Sequence, residues 1–390
     1  MGRQGWGCAV SPAWPAWALR PSHTGPALAS LWPAAAAAIG VELDGRTMPA
    51  PNLALNPSVG GVKGVVLVMA DSLGAANLAA RRGHAPTLTG MAAQEWLSVF
   101  PSTTVAALGA MGTGESPGQT ALAGYALRDP FTKARTSLIK WETSTPPETW
   151  QPLPSYFERL AAVGAEVDQI GEARFAGSAM TRSSLRGGRF HGVHQRQQRV
   201  PQAVKLARSG SRLIYLYWGE IDSVGHRYGW TGDHWARALE ALDAAVSKLL
   251  RQLPAGWEVW LTADHGMVDV GHRFDVADEP ALAAQVDLVA GEPRALHLYT
   301  AQPAAVAQRW AERLGDQALV LTQDQAVAEG LFGPVSDRVK PFLGNVVVAM
   351  AGTAVVQDSR WQSDSALAMM GHHGSLTAEE MRIPFLRAAT

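Results

Sequence analysis

Three aspartates stand where apolar runs of the sequence end, and two of them have a histidine close by. Asp71 follows VVLVMA, Asp222 follows LIYLYWGEI and precedes His226 by four residues, and Asp264 follows EVWLTA and directly precedes His265. Carboxylate and imidazole ligands without cysteine suit a catalytic rather than a structural zinc site. An aspartate after a strand is also a common turn former or helix cap. Three such residues in one chain favour metal binding.

Glycines and a second group of histidines extend this pattern. Gly225, between Asp222 and His226, is expected to permit a tight turn, and Gly266 is expected to relieve crowding after His265. Near the C-terminus the run GHHG supplies His372 and His373 as further imidazole groups. The sequence therefore predicts a metal site built from aspartate and histidine alone.

Two hydroxyl groups, those of Thr103 and Thr104, precede a short apolar helix predicted over Val105–Met111. A threonine at a helix N-terminus commonly serves only as a cap for free backbone N–H groups. The same N–H groups also bind phosphate, and a nearby metal ion activates a hydroxyl as a nucleophile. Beside a metal site, the pair favours phosphate chemistry.

The remaining histidines have no comparable neighbourhood and are expected to lie at the surface or to form local hydrogen bonds. His191 and His297 are the two that we single out as possible substrate contacts. The others in this class are His84, His194, His234 and His272.

Apolar runs and helical patterns alternate along the chain, which predicts an α/β/α layered domain. Val65–Ala70 is continuously apolar and β-branched, as expected for a parallel strand buried on both faces. Similar runs are Leu213–Trp218, Glu258–Ala263 and Asn345–Ala351, and weaker strands are predicted at Trp96–Phe100, Ala295–Tyr299 and Ala318–Leu321. Helices are predicted at Ser155–Val163, Pro201–Arg208 and Asp233–Leu253. Ligands bind at the carboxyl ends of such strands, so the three aspartates are expected to converge.

Residues 1–25 are predicted to form a disordered extension, and residues 26–390 a catalytic domain with an insertion or small subdomain at about 273–339. Residues 26–40 are Ala-rich and predict a short surface helix that ends at Gly40. The formal net charge of −1 argues against nucleic-acid binding through a broad basic face. The single cysteine, Cys8, excludes a disulfide within the chain. No apolar run reaches the roughly 20 residues of a membrane span, so we expect no membrane partner and a cytoplasmic location.

Taken in order, Asp71, the P-S-T-T run ending at Thr104, D-x-x-G-H from Asp222, D-H-G from Asp264 and H-G at His373 resemble the alkaline phosphatase superfamily. The resemblance is to its type I phosphodiesterase/nucleotide pyrophosphatase family and runs from about Gly64 to the C-terminus. It implies a three-layer α/β/α sandwich with a mostly parallel central sheet, and two zinc ions, or other divalent metals, per chain. One ion would be held by Asp222, His226 and His373, and the other by Asp71, Asp264, His265 and Thr104.

The resemblance also implies hydrolysis of a small phosphodiester or nucleotide-like substrate through a phosphothreonine at Thr104, with Thr103 as second choice. One departure is Ala107, where the family carries an asparagine that contacts a phosphoryl oxygen. The chain also lacks the C-x-P-x-R pattern of sulfatases. Alternatives are a phosphonate hydrolase, a catalytically silent metal-binding module, and a phosphomonoesterase, for which the candidate cations are Arg128, Lys140 and Arg182.

Overall fold

The structure, a computed structural model, describes residues 14–22, 27–43 and 61–390. A seven-stranded central sheet organises the chain. From one edge to the other, its strands are Ala92–Leu97, Arg382–Ala389, Trp257–Thr262, Gly64–Ala70, Leu213–Trp218, Val167–Glu172 and Arg189–Val193. Every neighbouring pair from Trp257–Thr262 onward is parallel, and Arg382–Ala389 runs antiparallel to both of its neighbours.

The three strands that carry the aspartates are adjacent at the centre of this sheet. Every residue of Gly64–Ala70 is buried, as its uninterrupted apolar sequence predicts for a strand covered on both faces. Its partners are Leu213–Trp218 on one side and Trp257–Thr262 on the other, both parallel to it. The carboxyl ends of all three strands therefore meet at one edge of the sheet.

Helices cover both faces of the central sheet and complete the three-layer α/β/α sandwich that the sequence predicts. One face carries Leu31–Ala38, Thr104–Thr113, Tyr156–Ala162 and Ala179–Ser184, and the other carries Arg199–Arg208 and Asp233–Gln252. The other α-helices are Ala75–Ala80, Pro86–Thr89, Pro117–Thr120, Pro147–Trp150, Glu220–Tyr228, Pro280–Ala283, Pro303–Leu314, Gln323–Ala328, Asp364–Leu367 and Ala378–Met381.

The helix Leu31–Ala38 is not the surface helix that its sequence suggested. Leu31, Trp32 and three of the alanines are buried in the main core. Alanine side chains are small enough to let a helix pack closely against its neighbours, so an Ala-rich helix can lie either at the surface or in the core. The chain does turn at Gly40, with φ of +74°.

A second, four-stranded sheet forms the small subdomain; in order its strands are Leu288–Glu292, Ala295–Tyr299, Val346–Met350 and Ala318–Thr322. The expectation that Asn345–Ala351 forms a parallel strand like Val65–Ala70 was wrong. Val346–Met350 is antiparallel to both of its neighbours in the small sheet. The helix Pro303–Leu314 and the two-stranded sheet of His272–Asp275 with Ala354–Gln357 help to bury it, so apolar composition alone could not distinguish the two sheets.

The predicted N-terminal extension lies partly outside the described residues, and Cys8 is among the residues not described. Within it, residues 14–22 contact the catalytic domain: the Leu19 N–H donates to the Leu376 carbonyl oxygen at 2.8 Å, and Arg20 pairs with Glu329. In the described ranges no helix combines the length and apolar character needed to cross a membrane.

A fully buried ion pair joins the small subdomain to the C-terminal segment. Arg294 binds both carboxylate oxygens of Glu380 at 2.7 Å and donates to the carbonyl oxygens of Met350 and Ala354. Glu380 also accepts from the Ser375 N–H. Every group in this network has a partner, which offsets the cost of burying two charges.

We predict that Arg294→Met lowers the free energy of unfolding by about 3–5 kcal/mol, because it leaves the Glu380 charge buried without its partner. The matched control is Arg182→Met, which breaks the exposed pair with Glu148 and is expected to leave the free energy of unfolding nearly unchanged, because solvent screens that pair. Urea unfolding followed by tryptophan fluorescence measures both. Equal effects of the two substitutions would contradict the assignment of Arg294 as a structural link.

Candidate active site

Two of the three aspartates are almost completely buried at the carboxyl edge of the central sheet. Asp71 is 2% exposed and Asp264 is 0% exposed. Asp264 Oδ1 accepts from the backbone N–H groups of Ser72 and His265, at 2.9 and 3.0 Å. Asp71 Oδ2 accepts from the Tyr217 hydroxyl. In each case one carboxylate oxygen is fixed by the protein and the other remains available.

The third aspartate lies in a helix rather than in the tight turn expected from Gly225, so that interpretation was wrong. Asp222 and His226 share one face of the helix Glu220–Tyr228, with Oδ1 and Nε2 3.3 Å apart. A Cβ atom at Gly225 would lie 2.3 Å from the Met267 sulfur. Glycine is therefore required here for close packing and not for backbone conformation.

His265 is the centre of the cluster. Its Nε2 lies 3.3 Å from Thr104 Oγ1, 3.5 Å from Asp264 Oδ2 and 3.6 Å from Asp71 Oδ1. The His373 ring stacks on the His265 ring, with centroids 3.6 Å apart. His373 Nε2 in turn lies 3.8 Å from Asp222 Oδ1, so the structure brings together all seven predicted site residues.

Hydrogen bonds fix the tautomers of the three histidines. In His226, His265 and His373, Nδ1 lies 2.8–3.0 Å from a backbone carbonyl oxygen, respectively that of Gly371, Gly266 and Ser102. A carbonyl only accepts hydrogen bonds, so each Nδ1 is the protonated nitrogen. Each Nε2 is then left with a free lone pair, which is the arrangement found in metal-ligating histidines.

The free atoms of the cluster fit divalent metals. Among the described residues, Asp71 Oδ1, Asp222 Oδ1 and Asp264 Oδ2 are buried and find no hydrogen-bond partner. Ligand atoms of Asp222, His226 and His373 all lie within 4.8 Å of one another, as do those of Asp71, Asp222 and His265. Burial raises the pKa of Asp71 well above its usual range, and the carboxylates of Asp264 and Asp222 raise it further. Such a concentration of buried acceptors calls for cations.

Thr104 opens the ten-residue helix Thr104–Thr113, and Thr103 precedes it without a side-chain capping bond. The backbone N–H groups of the first turn have no intrahelical partner and are directed towards the cluster end of the helix. Leu108 lines the adjoining cavity, whereas Ala107 is buried in the main core. The position at which the sequence departs from the family pattern therefore packs against apolar side chains.

His372 lies just outside the cluster; its ring centroid is 5.7 Å from that of His226. His191 contacts Asp168 at 2.7 Å and Gln202, and His297 is buried between the Ala123 carbonyl and the Gly344 N–H. Neither of these two histidines is among the residues that line the cavity beside Thr104.

A cavity of about 370 Å³ opens beside Thr104 and the cluster of aspartates and histidines. Its lining includes Tyr215 and Tyr217, which were not among the predicted site residues. The sequence does contain a signal for them: in LIYLYW the two tyrosines are separated by one leucine, so both face the same side of the strand.

The profile of the type I phosphodiesterase/nucleotide pyrophosphatase family matches residues 65–376. The chain belongs to this family. The family is one of metal-dependent, phosphoryl-transferring hydrolases within the alkaline phosphatase superfamily.

Solved structures of other proteins have the same fold as this chain. Murine ectonucleotide pyrophosphatase/phosphodiesterase 5, an inactive variant in complex with AMP, is 14% identical with a TM-score of 0.65, over 83% of this chain and 87% of that one. Phosphonoacetate hydrolase from Sinorhizobium meliloti 1021, in complex with phosphonoacetate, is 18% identical with a TM-score of 0.64, over 84% and 90%.

A curated phosphopentomutase from Rhizobium meliloti (strain 1021) is 33% identical to this chain over 141 residues. That match covers 35% of this chain and spans about a third, 32%, of the relative's length.

Glu292 brings the small subdomain close to the loop that follows His373. Its side chain is buried, Oε2 accepts from the Tyr125 N–H at 2.7 Å, and its Cγ is 2.6 Å from where a Cβ at Gly374 would lie. Burial is the main reason that the pKa of this carboxyl rises from 4.5 to about 8, and the Glu380 charge adds to the shift. Glu292 is therefore neutral in the folded protein at pH 7.

We predict that Glu292→Gln becomes increasingly more stable than the parent protein as the pH rises from 4.5 to about 8. Over that range the unfolded parent releases the Glu292 proton while the folded parent retains it, so the parent loses on the order of 1 kcal/mol per pH unit. Below pH 4.5 and above pH 8 the difference should be constant. The difference in unfolding free energy at each pH measures this, with the exposed Glu166→Gln as control. A pH-independent difference would contradict it.

Proposed function

We propose that this protein hydrolyses a small phosphodiester or pyrophosphate-like ester through a phosphothreonine at Thr104, with two divalent metal ions, zinc in the first instance. The observation that carries the proposal is the convergence of three unpaired carboxylate oxygens and three oriented imidazole nitrogens on one nucleophile. Family membership supports the reaction class.

Two ligand sets share the cluster in this proposal. Asp222, His226 and His373 would hold one ion; Asp71, Asp264 and His265, with Thr104 Oγ1, would hold the other. A ligand atom of Asp222 also lies within 4.8 Å of ligand atoms of Asp71 and His265. When bound, the ions supply positive charge that lowers the pKa of the Thr104 hydroxyl and offsets the charge that develops on the phosphoryl group.

The protein's own residues then carry out two displacements. Thr104 Oγ1 gives its proton to solvent water and forms a bond to phosphorus while the ester P–O bond breaks, and the departing oxygen takes a proton from water. Water next attacks phosphorus, the P–Oγ1 bond breaks, and Thr104 regains its proton. The free N–H groups of the helix Thr104–Thr113 stabilise phosphoryl oxygens, in place of the side chain that Ala107 lacks.

The charge distribution of the cavity favours diesters over monoesters. Arg128 stacks on the Tyr299 ring, Arg182 pairs with Glu148, and Lys140 lies 3.9 Å from Glu142. None of these candidate cations is among the cavity-lining residues. In the described part of the chain, Arg174 is the arginine or lysine that lines the cavity, and it pairs with Glu172 at 2.8 Å. A second negative charge on a monoester would lack a free cationic partner.

We predict that the purified protein contains about two zinc ions per chain and loses its activity in excess chelator. Bis-(4-nitrophenyl) phosphate should be hydrolysed with a kcat/KM at least about 10-fold above that of 4-nitrophenyl phosphate, because the monoester carries the additional charge. Metal analysis and initial rates measure both. Full activity in a metal-free preparation would exclude the proposed mechanism, and a monoester preference would favour the phosphomonoesterase alternative.

Substitution of the two threonines tests the nucleophile. Thr104→Ala should reduce kcat by about 10³-fold or more with the metal content nearly unchanged, because the attacking oxygen is removed. Thr103→Ala is the matched control and should retain most of the activity. If instead Thr103→Ala is inactive and Thr104→Ala active, the nucleophile is Thr103. Mass spectrometry of acid-quenched turnover locates the phosphorylated residue.

A further inference from the structure

The cavity continues from Thr104 across the face of the central sheet and has mostly apolar walls. These are contributed by Leu108, Ile139, Phe175, Met180 and Leu185. The Phe175 ring meets the Tyr217 ring edge-on, with centroids 5.8 Å apart. This portion is suited to an uncharged organic group attached to phosphate rather than to a second phosphate.

Strand register defines the floor of the cavity. Gln169 is paired in register with Phe190 on one neighbouring strand and with Tyr215 on the other. Residues in register on adjacent strands project to the same face of a sheet, and all three line the cavity. Gly171 lies one pleat closer to the carboxyl edge, where a Cβ atom would come 3.2 Å from the Phe190 ring. The row therefore lies on the face of the sheet that borders the cavity.

Two polar atoms in this row have no partner. Tyr215 and Gln169 are 3% and 2% exposed, and among the described residues nothing forms a hydrogen bond with Tyr215 Oη or Gln169 Oε1. Gln169 Nε2 donates to the Leu185 carbonyl oxygen at 2.8 Å, which identifies Oε1 as the free acceptor. Burial raises the pKa of the Tyr215 hydroxyl well above its usual range, so Oη keeps its proton. A donor and an acceptor thus belong to register-paired residues on adjacent strands, and both residues line the cavity.

We propose that Tyr215 and Gln169 form a recognition pair for the organic group of the substrate. The pair binds a hydroxyl group at the end of an otherwise apolar, uncharged substituent, preferably an aryl or alkyl alcohol. Tyr215 Oη donates to the hydroxyl oxygen, and the hydroxyl proton is donated to Gln169 Oε1. The inference rests on the proposed function, since it names the substrate class of the same site.

The cost of leaving these two buried polar atoms without hydrogen bonds makes the pair selective between substrates. A buried polar group left without a partner destabilises the site, so a substrate that satisfies both atoms recovers this cost. A site built to bind a substrate hydroxyl rejects the analogue that lacks it far more strongly than an apolar pocket rejects a missing methylene. The alternative occupant of the floor is an ordered water molecule, which would satisfy the same atoms without selecting a substrate.

The test uses symmetric diesters, in which either arm can enter the cavity. The series is bis-phenyl phosphate and its 3-hydroxyphenyl, 4-hydroxyphenyl and 4-(hydroxymethyl)phenyl analogues. With zinc-loaded protein, at least one hydroxylated ester should exceed bis-phenyl phosphate in kcat/KM by about 10-fold or more. The corresponding methyl ether accepts from Tyr215 but cannot donate to Gln169, so it should lose most of this preference. A methyl ether with the same kcat/KM as the alcohol would show that Gln169 does not take part in recognition.

Tyr215→Phe should reduce the preference, which is the ratio of kcat/KM for the hydroxylated ester to that for bis-phenyl phosphate, to within about threefold. Because no described residue forms a hydrogen bond with the Tyr215 hydroxyl, this variant should not unfold at a lower temperature than the parent. The control is Tyr299→Phe, whose hydroxyl donates to the Phe342 carbonyl oxygen at 2.6 Å. That variant should lose stability and keep the parent's preference.

The outcomes separate the two proposals. No hydrolysis of any diester would reject the proposed function. Hydrolysis of the whole series at similar rates by the parent protein would indicate a water-filled floor and overturn the inference alone. A preference that persists in Tyr215→Phe would overturn it as well.

Discussion

The accumulation of buried negative charge is the constraint on which the rest of the structure depends. Asp71, Asp222 and Asp264 direct unpaired carboxylate oxygens into one small volume, and burial together with mutual repulsion raises the pKa of Asp71. Carboxylates in a poorly solvated site are stable only when cations or protons compensate them. Three imidazoles add Nε2 lone pairs to the same volume, since each ring already donates from Nδ1 to a backbone carbonyl oxygen. Carboxylate oxygens and imidazole lone pairs together form a ligand set for divalent cations.

Holding such a cluster together requires a rigid surrounding structure. Parallel strands supply it on one side, because their register fixes where Asp71 and Asp264 emerge. On the other side, the loop before Thr104 is hydrogen-bonded to the loop after His373. The Ser102 N–H donates to the Gly374 carbonyl oxygen, and the Ser102 hydroxyl donates to the Ser375 carbonyl oxygen. The Arg294–Glu380 pair then anchors this C-terminal loop to the small subdomain. The subdomain thereby contributes to the geometry of the site without contributing a ligand.

Sequence patterns could predict those parts of the fold for which the composition of a segment, and its position in the chain, fit only one type of structure. A continuous apolar run followed by aspartate has few explanations other than a buried parallel strand with a functional end, and the central strands agree with it. Val346–Met350 was assigned wrongly, because a strand buried in a small antiparallel sheet has the same composition. The C-terminal strand Arg382–Ala389 was missed, since a proline and two arginines interrupt its apolar pattern.

The floor of the cavity was missed for a related reason, and the reason bears on function. The strands VDQIGE and RFHGV contain acidic, amide, basic and glycine residues, which are unfavourable for a strand by propensity. A buried strand tolerates such residues when tertiary contacts satisfy them, as Arg189 does for Asp168. Among the described residues, none satisfies Gln169 Oε1 in this way. This atom belongs to a residue type that is unfavourable in strands, and it is buried without the hydrogen bond that buried polar atoms normally form. A substrate that supplies the missing partner is the best explanation for both departures.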